Sequence, residues 1–127
     1  MPSWDGMERR EIGNLGERIA AGYLRGNGYE IVETNYRCQY GEIDIIARKD
    51  DTLVFVEVRT RTSTLYGSPE ESITRTKIAH LLAVADDYVA GKTGLPTERR
   101  VDVIAVRLDP GGQVSSIRHI ENAVEGN

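Results

Sequence analysis

The feature that most constrains the fold is a stretch of helical periodicity between two strand-like runs. The runs are TLVFVEVRTR, residues 52–61, and RRVDVIAVRL, residues 99–108, and both are rich in β-branched residues. Between them, SPEESITRTKIAHLLAVADDYVAGK has an apolar stripe at helical spacing, formed by Ile78, Leu81, Leu82, Ala85, Tyr88 and Val89. A crossover helix joins parallel strands, so these two runs are predicted to pair in parallel. The helix is predicted to start at Ser68, where Pro69 and Glu71 follow at capping-box spacing, or at Thr74.

The preceding part of the chain predicts a helix and two further strands. The helix lies in ERREIGNLGERIAAGYLRGNGY and ends at Gly26 and Gly28, and the strands are YEIVETNYRC and EIDIIAR. VSSIRHI is a candidate short edge strand. The predicted class is therefore α/β, with a mixed sheet in the order helix, three antiparallel strands, helix, strand. We expect an N-terminal tail at 1–10, a single domain at 11–121 and a C-terminal tail at 122–127.

Composition narrows the class of protein. The 127 residues fit one domain, and no segment approaches the ~20 apolar residues needed to span a bilayer, so we expect a cytoplasmic protein with no membrane partner. The only cysteine, Cys38, cannot form an intrachain disulfide. A net charge of −4 and a pI of about 5.2 argue against a general nucleic-acid-coating protein. Local basic clusters remain able to bind phosphate.

Two of the predicted strands carry a carboxylate inside an apolar run. Asp44 lies between Ile43 and Ile45, and Glu57 lies between Val56 and Val58, although burying a charge is costly. A hairpin turn between residues 50 and 51 places Asp44 opposite Glu57, with Cβ atoms roughly 4.5–5.5 Å apart. Two such carboxylates favour a shared divalent cation, Mg²⁺ before Mn²⁺. Arg59, two residues beyond Glu57, points to the same face.

An alternative interpretation follows from the same register. It places Glu42 opposite Arg59, which favours a cross-strand ion pair there, with Asp44 and Glu57 merely solvated. Glu17 on the first helix is either a third carboxylate of the site or an ordinary surface glutamate. His80 and His119 have no ligand-like spacing, so we assign them no chemistry.

Several ordered blocks of this sequence resemble one known family. GNLGERIAAGYL, GYEIVETNYR, GEIDIIA, LVFVEVRTR, YGSPEESI and RRVDVIAV look like the successive blocks of the YraN family, over roughly residues 11 to 107. That family is largely uncharacterised and is similar to Holliday-junction resolvases and to the restriction-endonuclease-like, PD-(D/E)XK fold. The resemblance therefore implies this fold for the predicted domain.

The resemblance also implies roles for individual residues. Asp44 and Glu57 would be the metal ligands, Glu17 would match the helix-one glutamate of the resolvases, and Arg59 would stand where such nucleases usually have a catalytic lysine. Arginine stays protonated, so Arg59 cannot act as a general base, although it can stabilise negative charge. Further matching positions are expected to shape a groove or contact phosphate: Asn35, Arg37, Gly67, Pro69, Lys77, Arg100 and Asp102. For Gly67 and Pro69 the alternative is that they only set a turn. The residues predicted to bind nucleic acid are Arg37, Arg61, Lys77 and Arg100.

The leading function predicted on this basis is a metal-dependent endonuclease that acts on nucleic-acid phosphodiesters, with Mg²⁺ or Mn²⁺ as cofactor and DNA as the favoured substrate. Because two symmetric cuts need two sites, the resolvase resemblance favours a homodimer. Two alternatives remain open. One is a noncatalytic nucleic-acid-binding module, and the other is a protein-interaction subunit of a repair or processing assembly.

Overall fold

A computed structural model describes residues 9–62 and 74–123 of the chain. These residues form two helices and five strands in the predicted order, and the fifth strand is the candidate edge strand. The elements are α1 (Arg9–Gly26), β1 (Glu30–Cys38), β2 (Gly41–Lys49), β3 (Thr52–Arg61), α2 (Arg75–Val89), β4 (Glu98–Leu108) and β5 (Val114–Ile120). The predicted mixed α/β class is thereby confirmed.

The five strands form one sheet in the sequential order β1-β2-β3-β4-β5. The β1–β2, β2–β3 and β4–β5 pairs are antiparallel, whereas β3 and β4 run parallel with Thr52 opposite Glu98. The parallel pair is the one that the crossover helix predicted. It lies inside the sheet, and β1 and β5 form the two edges.

The two helices cover opposite faces of the sheet. Along β3, Val54 and Val56 pack into one buried cluster with Leu24 of α1. The alternate residues Leu53 and Phe55 pack into a second buried cluster that contains α2 side chains. Because strand side chains alternate between faces, both faces of β3 are buried, and the result is a helix–sheet–helix arrangement.

Local capping sets the ends of the helices. The chain leaves α1 through Gly28, whose φ of +87° is in the left-handed region that glycine tolerates, while the Tyr29 N–H donates to the Leu24 carbonyl over 3.0 Å. At the start of α2, the Thr74 hydroxyl accepts a hydrogen bond from the Lys77 N–H over 3.1 Å. Thr74 is therefore the N-cap. Gly67, Ser68 and Pro69 lie outside the described residues.

Two further expectations concern membrane-spanning segments and the limits of the domain. Neither helix of the described ranges is long and apolar enough to cross a membrane. The limits of 11 and 121 expected for the domain stay a prediction, and α1 starts at Arg9, two residues before the first of them.

Candidate functional site

The β2–β3 hairpin brings Asp44 next to Glu57. Lys49 pairs with Thr52 and Ile45 pairs with Val56, which is the register expected for a turn between residues 50 and 51. Asp44 and Glu57 are the next residues beyond the last of these pairs. The Val58 N–H donates to Asp44 Oδ2 over 2.7 Å, so the Asp44 carboxylate lies against the β3 backbone beside Glu57.

The regular alternation of β2 breaks at Asp44. Ile45 packs into the cluster on the α1 face, yet Ile43 packs into the cluster on the α2 face. On the neighbouring strand, Asn35 lies between the residues paired with Ile43 and Ile45 and has a φ of 54°. Asparagine is one of the few residues that adopt this left-handed conformation readily. This irregularity directs Asp44 toward β3 instead of leaving it in the β1–β2 ladder.

Burial and negative neighbours act strongly on Asp44. Burial is the largest cause that raises its pKa, to about 8, and repulsion from the Glu57 carboxylate is the second. Glu17 and Glu42 add smaller repulsions, and the hydrogen bond from Val58 opposes the change. Without a cation, this carboxyl group therefore holds a proton up to near neutral pH. A divalent cation between the carboxylates would release that proton.

Two basic side chains converge on Glu57, which is only 4% exposed. Arg59 Nη1 and Lys77 Nζ each lie 3.4 Å from Glu57 Oε2. Arg59 comes from the same strand, whereas Lys77 comes from the first turn of α2, where the Thr74 cap fixes the helix start. The charge of Glu57 is thus balanced by cations, and that of Asp44 is not.

Helix α1 brings Glu17 to the same region. Gly16 lies so close to β3 that an added Cβ would stand 1.9 Å from Thr60 Oγ1, which allows the helix to approach the strand closely. Glu17 Oε1 accepts a hydrogen bond from Asn35 Nδ2 over 2.9 Å. Glu17 also lines a pocket of about 550 Å³ together with Arg59. Glu17, Asp44, Glu57 and Arg59 are therefore brought together, as their predicted roles require.

The donor set fits an open magnesium site better than a closed one. Across residues 9–62 and 74–123, no group of three or more histidine, cysteine, aspartate or glutamate side chains is arranged to enclose a metal ion. Mg²⁺ commonly binds through one or two carboxylates and completes its shell with waters and a substrate phosphate. Asp44 and Glu57 offer hard oxygen ligands of this kind. Their role as ligands stays a prediction.

The four residues predicted to contact nucleic acid lie in different settings. Arg37 is exposed and pairs with Glu42 over 3.0 Å, so Glu42 has a partner other than the Arg59 of the alternative interpretation. Arg61 lines the same pocket as Glu17, and Lys77 forms an ion pair with Glu57. Arg100 does not join this group, because its guanidinium binds Asp102. The predicted contacts with nucleic acid remain untested.

A second polar cluster lies around Asp102 and includes a residue to which the sequence assigned no chemistry. Asp102 is fully buried, and both of its oxygens are engaged. Arg100 donates from Nε over 2.9 Å and from Nη2 over 3.0 Å, and the Asn122 N–H donates over 3.0 Å. His119 Nε2 lies 2.6 Å from Asp102 Oδ2, and Tyr23 Oη lies 3.2 Å from His119 Nδ1. We call these residues the Asp102 network.

The electrostatics of Asp102 are the reverse of those of Asp44. Burial alone would raise the pKa of Asp102, but hydrogen bonds from His119, Arg100 and the Asn122 backbone lower it overall. The same interaction raises the pKa of Arg100. Asp102 therefore stays ionised and fully partnered, which is typical of a structural carboxylate. The sequence signal was present, because Asp102 interrupts an apolar strand as Asp44 and Glu57 do.

Comparison with known proteins places this geometry in a family context. The description "Uncharacterised protein family UPF0102" belongs to a family model that matches residues 16–106. A UPF0102 protein of Caldicellulosiruptor saccharolyticus is 44% identical over 117 residues, which cover 92% of this chain and 99% of the relative. A UPF0102 protein of Syntrophomonas wolfei is 46% identical over 114 residues, covering 90% and 97%. One of Roseiflexus castenholzii is 47% identical over 119 residues, covering 92% and 95%.

Proposed function

The chain belongs to protein family UPF0102, the YraN family, and we propose that it is a metal-dependent endonuclease of the restriction-endonuclease-like class. Its substrate is the phosphodiester backbone of nucleic acid, with DNA favoured. The order of helix, three antiparallel strands, crossover helix and strand supports this fold class.

One observation carries the proposal. Two buried or half-buried carboxylates, Asp44 and Glu57, meet at the open end of a hairpin, and two basic side chains lie beside them. A purely structural cluster would balance each carboxylate, as the Asp102 network does. Here no cationic side chain balances the repulsion that Asp44 experiences from neighbouring carboxylates, and a divalent cation would relieve it.

In this proposal, Asp44 and Glu57 hold Mg²⁺ or Mn²⁺. When bound, such a cation polarises a phosphodiester oxygen and lowers the pKa of a coordinated water. The Val58 N–H holds Asp44 Oδ2, which leaves Asp44 Oδ1 as the oxygen that would bind the cation. Glu17, oriented by Asn35, would accept a hydrogen bond from a water near the carboxylates. Together these residues would position the attacking water.

The basic side chains stabilise the developing negative charge on the phosphate. Arg59 stays protonated and donates hydrogen bonds, so it acts through charge and not as a base. Position 59 has an arginine where a lysine is usual, and Lys77 provides a flexible ammonium group in its place. The Nζ atom of Lys77 lies 3.4 Å from Glu57 Oε2, close enough to reach a phosphate beside that carboxylate. With the Glu57 charge held by a cation, Lys77 and Arg59 would be free to donate hydrogen bonds to the phosphate oxygens.

A second candidate function is favoured by the ion pairs themselves. Arg59 and Lys77 neutralise Glu57 without any metal, which is the arrangement expected if the fold retains only nucleic-acid binding. In that case backbone phosphate binds beside the same two cations, and no bond is cut. Cleavage and binding measurements on the same variants distinguish the two functions.

The test is cleavage of branched and linear DNA in Mn²⁺ and in Mg²⁺. We expect Glu57→Ala to abolish cleavage because the cation loses a ligand, and Arg59→Lys to keep or raise it because the positive charge is retained. Lys77→Met is expected to reduce cleavage on the order of a hundredfold, as for other groups that stabilise transition-state charge. Glu30→Ala, an exposed glutamate of β1, is the matched control and should cut like the parent.

Three results would contradict the endonuclease proposal. Cutting that persists in Glu57→Ala and in chelator would exclude the metal mechanism. Binding without cutting by the parent protein in either metal would leave the noncatalytic module as the function. Absence of binding to any nucleic acid at low salt would exclude both and favour a protein-interaction role.

A further inference from the structure

The pocket beside Glu17 is rich in arginine. It lies between the first turns of α1 and the end of β3, has a volume of about 550 Å³ and is lined by Arg9, Arg59 and Arg61. Of the described residues that line it, Glu17 is the only acidic one. We call this feature the arginine pocket. Such a concentration of cations is unexpected in a protein whose net charge is −4.

The charged form of Arg61 is disfavoured by its place in this pocket. Burial is the largest cause that lowers the pKa of Arg61, and repulsion from Arg59 and from Arg9 adds to it. Arg61 Nη1 donates a hydrogen bond to the Thr60 carbonyl over 3.1 Å. Like charges that converge in a partly buried pocket raise the free energy of the protein unless an anion lies between them.

Arg59 supplies a second, independent observation. Its Nη1 faces Glu57, but its Nε is buried and has no hydrogen-bond partner, and it is the one such side-chain atom found among the described residues. A buried donor without an acceptor is rare in folded proteins, and a missing ligand is one explanation of such an atom. The ligand expected here is an acceptor with several oxygens.

We propose that the arginine pocket binds a phosphate group of the nucleic-acid backbone, next to the phosphate that lies at Asp44 and Glu57. This inference rests on the proposed function, because the pocket and the carboxylates share Glu17 and Arg59. Guanidinium groups bind phosphate through paired N–H donors, which suits three arginines that converge from two elements. The pocket thereby sets which phosphate reaches the carboxylates.

The test uses an Arg9→Gln/Arg61→Gln double variant and leaves Arg59 intact, since Arg59 belongs to the proposed catalytic group. Binding of a fluorescent oligonucleotide is measured by anisotropy in chelator, where no metal contributes. We expect affinity to fall on the order of tenfold to a hundredfold, as for lost charged hydrogen bonds. The slope of log affinity against log salt should fall by about two. Single Arg9→Gln, at an exposed position, should lose about half of that slope change.

The matched control is Arg48→Gln. Arg48 is exposed and lies opposite Leu53, at the other end of the β2–β3 hairpin from Asp44. The Arg48→Gln variant should bind the oligonucleotide with the same affinity and the same salt slope as the parent. If the double variant and this control bind alike, the arginine pocket is not a phosphate site. Equal melting temperatures for the variants verify that they are folded.

Competitors distinguish the sources of the anion. Oligonucleotides with and without a 5′-phosphate should compete equally if the pocket takes an internal phosphodiester, whereas preference for the phosphorylated end identifies a terminal phosphate. Either result supports the proposal. Competition by oligoglutamate as strong as that by DNA of equal charge would overturn it in favour of an acidic peptide.

The design separates this inference from the proposed function. A parent that binds through the pocket in chelator but never cuts DNA would remove the endonuclease and leave the phosphate site standing. If the parent and the double variant cut DNA at the same rate and bind it with equal affinity, the endonuclease proposal stands and the phosphate site is excluded.

Discussion

A carboxylate inside an apolar strand has three different environments in this protein. Asp102 is buried among cationic and hydrogen-bonding partners that satisfy both oxygens. Glu57 is equally well buried but is balanced by the flexible side chains of Arg59 and Lys77. Asp44 faces other carboxylates and one backbone donor. Of the three carboxylates, only Asp102 has a full set of partners that do not depend on a ligand. Asp44 has the fewest favourable partners, so it is the carboxylate that a bound cation would stabilise most.

The Asp44→Asn variant tests that imbalance through stability. The folded pKa of Asp44, about 8, lies above its value of 3.8 in a free chain, so the folded state binds a proton more tightly than the unfolded state. In chelator, the parent should therefore lose stability as the pH rises from about 4 to about 8. Asparagine cannot ionise and still accepts from Val58. We expect Asp44→Asn to exceed the parent at pH 8 by more than about 1 kcal/mol of unfolding free energy.

Urea denaturation at several pH values measures this difference. Asp51→Asn, in the exposed turn of the same hairpin, is the matched control and should follow the parent at every pH. Millimolar Mn²⁺ should stabilise the parent at pH 8 and leave Asp44→Asn unchanged. An Asp44→Asn protein that loses stability across the same pH range would show that Asp44 is not strained by its neighbours.

Sequence alone identifies the carboxylates that interrupt apolar strands, but not the side chains that surround them. The interruption of apolar runs marks Asp44 and Glu57, and hairpin arithmetic places them side by side. The same signal marks Asp102, yet its partner His119 comes from a strand that follows the whole of β4. Likewise, the contact of Lys77 with Glu57 depends on where α2 lands on the sheet. Long-range partners of this kind follow from tertiary packing, which no local pattern contains.

At the scale of an element, the position of α1 depends on the absence of a side chain. Gly16 is buried against Thr60, and α1 then presents Glu17 toward Asn35 and the pocket. A helix normally loses about 1 kcal/mol when glycine replaces alanine in its interior. Close packing on β3 explains why this helix keeps glycine at a position where propensity alone favours alanine.

Gly16→Ala should destabilise the protein by about 1–3 kcal/mol, since its Cβ would overlap Thr60 Oγ1. Cleavage and binding should weaken as well, because the helix must move and carry Glu17 with it. Gly22→Ala is the matched control: nothing lies within 4 Å of its added Cβ, so the gain in helix propensity should leave stability equal or higher.

Thermal denaturation and DNA binding check this prediction. The Gly16→Ala/Thr60→Ala double variant removes the overlapping hydroxyl and should recover part of the lost stability. If Gly16→Ala is as stable as Gly22→Ala, the close approach of α1 to β3 does not fix the position of Glu17.

The elements themselves are predictable to different degrees. Alternation and turn residues predict β2 and β3 with their register, and the crossover predicts the parallel pairing of β4. The start of α2 is ambiguous from sequence, because Ser68 and Thr74 both carry capping chemistry. The irregularity at Asn35 and Asp44 cannot be read from alternation, since it is a departure from alternation. It accompanies the hydrogen bond from Val58 to Asp44 and the packing of Ile43 and Ile45 on opposite faces of the sheet.

At the scale of the whole molecule, the Asp102 network ties α1, β4 and β5 together and also contacts the residue before β1. Tyr23 comes from α1, Arg100 from β4 and His119 from β5, while the Tyr29 hydroxyl before β1 accepts from Arg100 over 2.7 Å. The network also holds Asn122 just beyond β5. An edge strand with few buried apolar residues is thereby fixed to the centre of the sheet.

Asp102→Asn should cost about 3 kcal/mol of unfolding free energy, because it leaves Arg100 without its buried partner. The pH dependence is opposite to that of Asp44. The folded pKa of Asp102 lies below its unfolded value, so its contribution is present above about pH 4 and is lost as the pH falls through the folded value. Glu121→Gln, which removes an exposed partner 3.8 Å from Arg100, should cost less than about 1 kcal/mol.

Urea denaturation at pH 7 and at decreasing pH tests both variants. Hydrogen exchange should also quicken selectively in β5 of Asp102→Asn, since that strand loses its anchor. Equal stability of Asp102→Asn and Glu121→Gln would show that the network does not hold the sheet together.

The parallel contact between β3 and β4 also governs how the chain reaches this structure. The antiparallel hairpins join neighbouring segments, whereas Thr52 pairs with Glu98, which lies beyond α2 in the chain. Contacts of high sequence separation form slowly, because loop closure must precede the gain from pairing. We therefore expect β1, β2 and β3 to associate first, with the apolar edge of β3 open to other chains. Docking of β4 then completes folding, and substitutions in β4 should speed unfolding more than they slow refolding.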